Sequence, residues 1–184
     1  MTTHPYYPVD LIIPNYIPTQ RTTLEILVAV GVIFTLLLSL CYYSVTSETT
    51  SVKRFTWFTI CGLLHLGFEG YWLYNKDSIA IKTDLLGEMW KEYARGDSRY
   101  MVADELLFIW GPLCCISAYY IWRGSPKQYI FQMVASLCHL FSCSLYYIMD
   151  LPNAPNCDPQ ALTFWIYFVA FNAPWIIVRY LLSL

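Results

Sequence analysis

The chain has 184 residues, of which 57% are hydrophobic and 13% are charged, and its formal net charge is −2. Soluble domains carry roughly 25% charged residues, so this composition cannot supply a polar surface. It excludes a soluble globular domain, a disordered chain and a nucleic-acid-binding module. The mean hydropathy of +0.44 predicts an integral, polytopic membrane protein.

Five apolar runs follow a polar N-terminal segment, residues 1–23, in which we expect no cleaved signal peptide. Each run is long enough to cross a hydrocarbon core ~30 Å thick at ~1.5 Å per residue. The runs are Leu24–Val45, Phe55–Tyr74, Glu105–Arg123, Gln128–Met149 and Ala161–Leu184. The sequence therefore predicts an all-α, multi-pass fold with five transmembrane helices in one bundle over residues 24–184.

The basic residues of the connections predict the orientation of the chain. Two lie in the first connection, Lys53 and Arg54, and two in the third, Arg123 and Lys127, whereas residues 1–23 contain only Arg21. Because short cytosolic loops are enriched in Lys and Arg, we expect the first and third connections in the cytosol. The N-terminal segment is then lumenal.

The second connection, residues 75–104, contains a helical pattern. Apolar residues recur on one side and charged residues on the other: Leu85, Leu86, Met89, Trp90, Tyr93 and Ala94 against Lys82, Asp84, Glu88, Lys91, Glu92 and Arg95. We interpret this pattern as a short amphipathic helix on the membrane interface. The alternative is a loop helix packed on the bundle.

The second span carries the most informative polar residues. His65 falls near its middle, and Glu69 follows one turn later on the same helix face. An ionised carboxylate at that depth costs ~3 kcal/mol, so it needs a partner or a proton. An imidazole beside a carboxylate can move protons. The alternative is a hydrogen-bonded pair that only joins helices.

Two later spans add polar groups at a similar depth. His139 lies midway along the fourth span and Asn172 midway along the fifth. His139 is a pocket residue or, alternatively, a hydrogen-bonding link between helices. Pro174 should open the fifth helix, and Trp175 offers a ring face that stabilises a cation or simply packs.

Metal and cofactor motifs are missing from the sequence. The two midplane histidines and the glutamate have no HExxH-type spacing, so we expect no metal site. The glycines form no nucleotide-binding motif, so we expect no cofactor. Gly62, Gly67 and Gly70 should instead allow close helix packing. Cofactor-free acid–base chemistry in an apolar pocket suits a lipid substrate, such as one whose double bond is shifted by protonation and deprotonation.

The chain resembles the emopamil-binding protein family, five-span sterol Δ8–Δ7 isomerases of the endoplasmic reticulum with the EXPERA architecture. Five segments carry the resemblance: His4–Pro8, His65–Gly70, Trp90–Tyr100, Trp110–Leu113 and Phe164–Trp175. Of these, Trp90–Tyr100 is the specific signature.

The resemblance implies a function and roles for individual residues. The reaction adds a proton at C9 of a sterol and removes one from C7, without a cofactor. His65 and Glu69 then belong to the catalytic machinery, Asn172 is a polar pocket residue and Trp175 faces the sterol carbocation. Cationic amphiphilic amines, which mimic that cation, are expected ligands.

The sequence departs from the family pattern at three places. The region before Gly111 is short, so either Glu105 stands in for the family's second catalytic glutamate or that glutamate is missing. Glu105 opens its span ~15 Å from the middle by helical rise, which favours the second alternative. His139 occupies a position that is usually Gln, and Leu140–Leu145 differs from the isomerase pattern. The chain also ends at Leu184 without a basic tail. An incomplete gene model, a shortened isoform and a non-catalytic binding paralogue therefore stay open as alternatives. The sequence also leaves a homodimer open.

Overall fold

The structure is a computed structural model that describes residues 4–45, 51–102, 110–150 and 154–181. Every regular element within these ranges is helical. The α-helices are α1 (Thr23–Ser44), α2 (Val52–Leu63), α3 (Gly70–Asn75), α4 (Leu85–Tyr93), α5 (Gly111–Trp122), α6 (Gln128–Asp150), α7 (Ala161–Thr163) and α8 (Pro174–Leu181). Two π-helical segments, Leu64–Glu69 and Phe164–Ala170, and two 3₁₀ turns, Lys76–Ile81 and Ser98–Met101, complete the list.

Among the described residues, three helices are long and apolar enough to cross a membrane. They are Thr23–Ser44, Gln128–Asp150 and Ala161–Val178, at the predicted first, fourth and fifth spans. This confirms an all-helical membrane protein. The second predicted span coincides with unbroken helical turns from α2 through Leu64–Glu69 into α3. The described part of the third predicted span starts at Trp110 and contains α5, because residues 103–109 lie outside the described ranges.

The chain divides into two compact units, each described on its own. The first comprises Met1–Leu27, Tyr71–Leu106 and Cys143–Pro174, and the second comprises Val28–Gly70, Leu107–Ser142 and Trp175–Leu184.

In the first unit, the polar face of α4 is buried by the N-terminal segment. Glu88 accepts a 2.7 Å hydrogen bond from the guanidinium of Arg21, and the Lys91 ammonium donates to the carbonyls of Ile17 and Lys82, both at 2.6 Å. Burial lowers the pKa of Lys91. The amphipathic pattern therefore predicts the helix correctly, but this polar face lies against protein.

The signature segment supplies ion pairs to the same unit. Arg99 bonds Asp97 at 2.6 Å and also pairs with Asp150, and Arg95 pairs with Asp158 at 3.2 Å. The hydrogen bond to Asp97 is the main reason that the pKa of Arg99 is raised. These ion pairs connect the segment after α4 to the end of α6 and to the loop that follows α6.

In the second unit, α2 packs against α5, and two glycines allow the close approach. A Cβ at Gly62 would lie 2.6 Å from Sγ of Cys115, and one at Gly111 would lie 3.2 Å from Cβ of His65. The packing role predicted for Gly62 is confirmed. For Gly67 it stays a prediction, because no described residue lies within 4 Å of a Cβ built there.

Candidate active site

His65 and Glu69 lie in the π-helical segment Leu64–Glu69 of the second unit. Nδ1 of His65 is 2.6 Å from Oε2 of Glu69. The imidazole is buried, and the carboxylate is mostly buried with 17% of its side chain exposed. π-Helical turns recur at functional sites because they displace side chains from the regular helical register. The pair predicted from the i, i+4 spacing is present in the structure.

His139, on α6, brings a second imidazole to this pair. Its Nε2 lies 3.0 Å from Nε2 of His65. The ring is buried, with 3% of the residue exposed. His139 therefore joins His65 directly, a contact that the sequence did not indicate. Three groups form one hydrogen-bonded chain that runs from the Glu69 carboxylate through His65 to His139.

The sequence of hydrogen bonds from Glu69 through His65 to His139 restricts which nitrogen atoms carry protons. When Nδ1 of His65 donates to Glu69, a neutral His65 has its lone pair on Nε2 and accepts from Nε2–H of His139. When His65 is an imidazolium, both its nitrogens donate, and Nε2 of His139 accepts. One proton can thus occupy either side of the contact between the two Nε2 atoms. An imidazole pair of this kind can give a proton and take one back.

Trp175, at the start of α8, lies against both imidazoles. Its ring centroid is 5.2 Å from that of His65 and 4.9 Å from that of His139. On another side it contacts Trp57, with ring centroids 5.2 Å apart. The indole therefore borders the proton-transfer groups, where its electron-rich face can interact with a nearby cation.

Cys114 extends the site, and Cys61 lies beside it. Sγ of Cys114 is 3.6 Å from Nε2 of His139, and Cys61 is fully buried in the same core. Sequence reasoning missed both thiols, because a cysteine inside an apolar run reads as a small hydrophobic residue. Their separation of 53 positions in the sequence gave no motif that could have identified them.

Asn172 belongs to the first unit, and its amide is used locally. Nδ2 donates to the carbonyl of Phe168 at 2.8 Å, and the hydroxyl of Tyr93 donates to Oδ1 at 3.4 Å. The expected opening at Pro174 is present as an interruption of the regular helix, because residues 171–173 form hydrogen-bonded turns and α8 starts at the proline. Val169, whose carbonyl precedes this break, accepts a 2.8 Å bond from Tyr147. The binding role of Asn172 stays a prediction.

Glu105, the third residue predicted to be catalytic, lies outside the described residues. Its role in the site therefore stays a prediction as well.

Comparison with known proteins identifies the family. The family model of EXPERA, the expanded EBP superfamily, matches residues 85–184. The rat 3-beta-hydroxysteroid-Delta(8),Delta(7)-isomerase is 30% identical over 191 residues, which cover 95% of this chain and 83% of the rat protein. A probable isomerase of the same name from Arabidopsis thaliana is 28% identical over 98% of this chain and 86% of its own length.

A relative with a different name is almost as similar. The protoglabretal synthase of Ailanthus altissima is 28% identical over 96% of this chain and 87% of its own length. The family match covers more than half of the sequence and includes the signature segment Trp90–Tyr100. The chain belongs to the EXPERA family, the expanded EBP superfamily.

Proposed function

We propose that this chain is a sterol Δ8–Δ7 isomerase, an intramolecular isomerase that moves a ring double bond. The observation that carries the proposal is the buried chain of hydrogen bonds from Glu69 through His65 to His139. It supplies acid and base groups in an apolar, aromatic setting. The isomerase names of relatives that align with most of the chain agree with this chemistry.

The reaction needs two proton transfers that balance. A proton delivered to C9 uses the π electrons of the Δ8 double bond and leaves a cation at C8. Loss of the proton on C7 returns its electron pair to form the Δ7 double bond. No electron is gained or lost overall, and the hydrogen-bonded chain ends with the number of protons with which it began.

We assign these transfers to the two imidazoles, His65 and His139. We propose that His65 acts together with the Glu69 carboxylate as the catalytic couple. Glu69 balances the charge of the imidazolium that gives the first proton, because the two groups are 2.6 Å apart. His139 lies 3.0 Å from His65 and is the second proton-transfer group. A second group is useful because the added and the removed protons sit on different carbons.

His139 therefore supplies a role that the resemblance implies for a third-span glutamate. Glu105 remains a candidate for an additional acid. Because the proposed couple and its partner do not include Glu105, we expect Glu105→Gln to reduce conversion much less than Glu69→Gln.

Trp175 is the proposed cation-stabilising residue, and Asn172 the proposed polar pocket residue. The contact of the Trp175 ring with both imidazoles supports this role, because a cation formed beside the proton donor would lie near the indole. By the same argument, the pocket should bind cationic amphiphilic amines.

The remaining proposals concern placement in the membrane. We place the protein in the endoplasmic reticulum membrane as a five-span domain over residues 24–184, with residues 1–23 lumenal. We place α4 at the depth of the membrane interface, with its polar face covered by the N-terminal segment. The three membrane-length helices support a multi-pass arrangement. A homodimer is compatible with this placement.

The function is tested by the sterol composition of cells that lack their own Δ8–Δ7 isomerase. Expression of this chain should convert accumulated Δ8 sterols into Δ7 sterols, whereas an empty vector should not. The contrary result is Δ8 sterol that persists in cells whose membranes contain the chain and bind a tertiary-amine ligand. It would overturn the proposed isomerase function and indicate a non-catalytic binding protein.

A further inference from the structure

We infer that Cys61, Cys114 and His139 form a buried site for a thiophilic divalent cation such as Zn²⁺, and that occupation of this site switches off the proton-transfer chain. The second part of this inference, the inhibition of proton transfer, rests on the proposed function, whereas the first part, metal binding, does not. Sγ of both cysteines and a ring nitrogen of His139 lie within 4.8 Å of one another.

The spacing of the donor atoms suits a tetrahedral ion. Zinc bonds of ~2.3 Å to sulfur and ~2.0 Å to nitrogen place the two donor atoms about 3.6 Å apart. Sγ of Cys114 is 3.6 Å from Nε2 of His139. Two tetrahedral sulfur ligands lie about 3.8 Å apart, so Cys61 needs at most a shift of roughly 1 Å to complete the set.

The chemistry of the donors also suits this ion. Thiolate and imidazole are the ligands that zinc and cadmium prefer, and all seven cysteines have free thiols. Binding forms two metal–sulfur bonds and one metal–nitrogen bond, the two thiol protons leave to solvent, and nothing is oxidised. Because two thiolates balance a divalent cation, the bound cluster has no net charge, which a low-dielectric interior tolerates best.

Metal binding and proton transfer compete for the same atom. Nε2 of His139 is the nitrogen that faces His65 at 3.0 Å, and a metal bond occupies its lone pair. Nε2 of His65 then either loses its partner or becomes a fourth ligand. Glu69 on Nδ1 of His65 supports the second outcome, since metal-bound histidines donate their other nitrogen to a carboxylate. Either outcome interrupts the hydrogen-bonded connection between His65 and His139.

The test uses the full-length chain, purified without metal and reconstituted in nanodiscs. Titration with Cd²⁺ should develop the ultraviolet charge-transfer absorption of cadmium–thiolate bonds and saturate at one ion per chain. Cys61→Ala and Cys114→Ala should each weaken binding by more than about 100-fold, beyond the loss seen for an outer-shell residue. Cys115→Ala is the matched control, because Cys115 is exposed and adjacent to Cys114, and it should bind like the parent.

A second measurement covers the case in which the alanine variants do not fold. X-ray absorption at the zinc edge of the loaded parent should show two sulfur ligands and at least one imidazole. A shell of oxygen and nitrogen only, or no saturable Cd²⁺ absorption by the folded parent, would overturn the site.

Zn²⁺ should also inhibit sterol conversion in the parent and in Cys115→Ala. A saturated site with undiminished conversion would overturn the inhibition of proton transfer, whereas a parent without any conversion would count against the proposed function and leave the binding result intact.

Discussion

Gly111→Ala tests how closely the packing of α5 positions His65, because the structure shows which atoms the added Cβ would contact. A Cβ at this position would lie 2.7 Å from Cγ of Leu66 and 3.2 Å from Cβ of His65. Ordinary carbon contacts are ~3.5–4.0 Å. Leu66 is half exposed and can rotate away, but Cβ of His65 is fixed to the helix and has to move by about 0.3–0.8 Å to restore contact distance.

That movement shifts His65 relative to its two partners. A misplacement of ~1 Å costs about 100-fold in rate, so we expect Gly111→Ala to lower sterol conversion about tenfold. Overpacking of this kind also costs about 1–3 kcal/mol of stability.

The assay is sterol conversion by reconstituted protein, with thermal unfolding measured in parallel. Gly67→Ala is the matched control, because none of the residues that the structure describes lies within 4 Å of its added Cβ, and it should keep the parent rate. If Gly111→Ala folds and converts sterol at the parent rate, then the close packing of α5 does not position His65, and the reasoning is refuted.

Three further predictions concern other parts of the chain. Trp175→Ala should weaken binding of a tertiary-amine ligand by about 1–2 kcal/mol in a radioligand assay, the range for cation–π contacts at desolvated sites. Unchanged affinity in a folded variant would show that the Trp175 ring does not contact the ligand. Arg99→Gln leaves the buried Asp97 with a weaker partner and should lower stability in detergent by about 3 kcal/mol, and an unchanged melting temperature would show that the ion pair is dispensable. In a background whose seven native cysteines are replaced, Thr3→Cys and Val52→Cys should label from opposite sides of the membrane, and labelling from the same side would contradict the topology.

The sequence predicted the parts of the fold and the site that depend on neighbours along the chain. Long apolar runs predicted the three membrane-length helices, because hydrocarbon thickness sets their length. His65 and Glu69 were predicted as a pair because four residues of helix return a side chain to nearly the same face. The helix Leu85–Tyr93 followed from its amphipathic spacing.

The remaining features depend on contacts between distant segments, which spacing along one helix cannot predict. His139 is 74 residues from His65, and only the packing of their helices determines that the two Nε2 atoms meet. Burial of Lys91 depends on the N-terminal segment, because the carbonyl of Ile17 accepts a hydrogen bond from the Lys91 ammonium. The amphipathic pattern shows that a face is polar but does not show what covers it.

The π-helical turns are a further feature that the apolar pattern conceals. A continuous hydrophobic run fits an α-helix and a π-helix equally well, so the pattern did not distinguish the two in Leu64–Glu69 or Phe164–Ala170. In the second of these segments, Pro174 gave a local signal. Because its ring excludes a regular helix one turn before it, the break at residues 171–173 was predictable, although the wider turns before it were not.

The central claim is that the couple of Glu69 and His65 moves the protons of the isomerisation, and Glu69→Gln tests it most directly. Glutamine keeps the shape of the side chain but cannot balance the charge of an imidazolium. The measurement is Δ7 sterol formed from a Δ8 sterol by purified parent and variant in the same lipid nanodiscs, with amine binding and thermal unfolding as controls for folding. We predict that the folded variant forms no Δ7 sterol above background while the parent converts its substrate; robust conversion by Glu69→Gln would contradict the account.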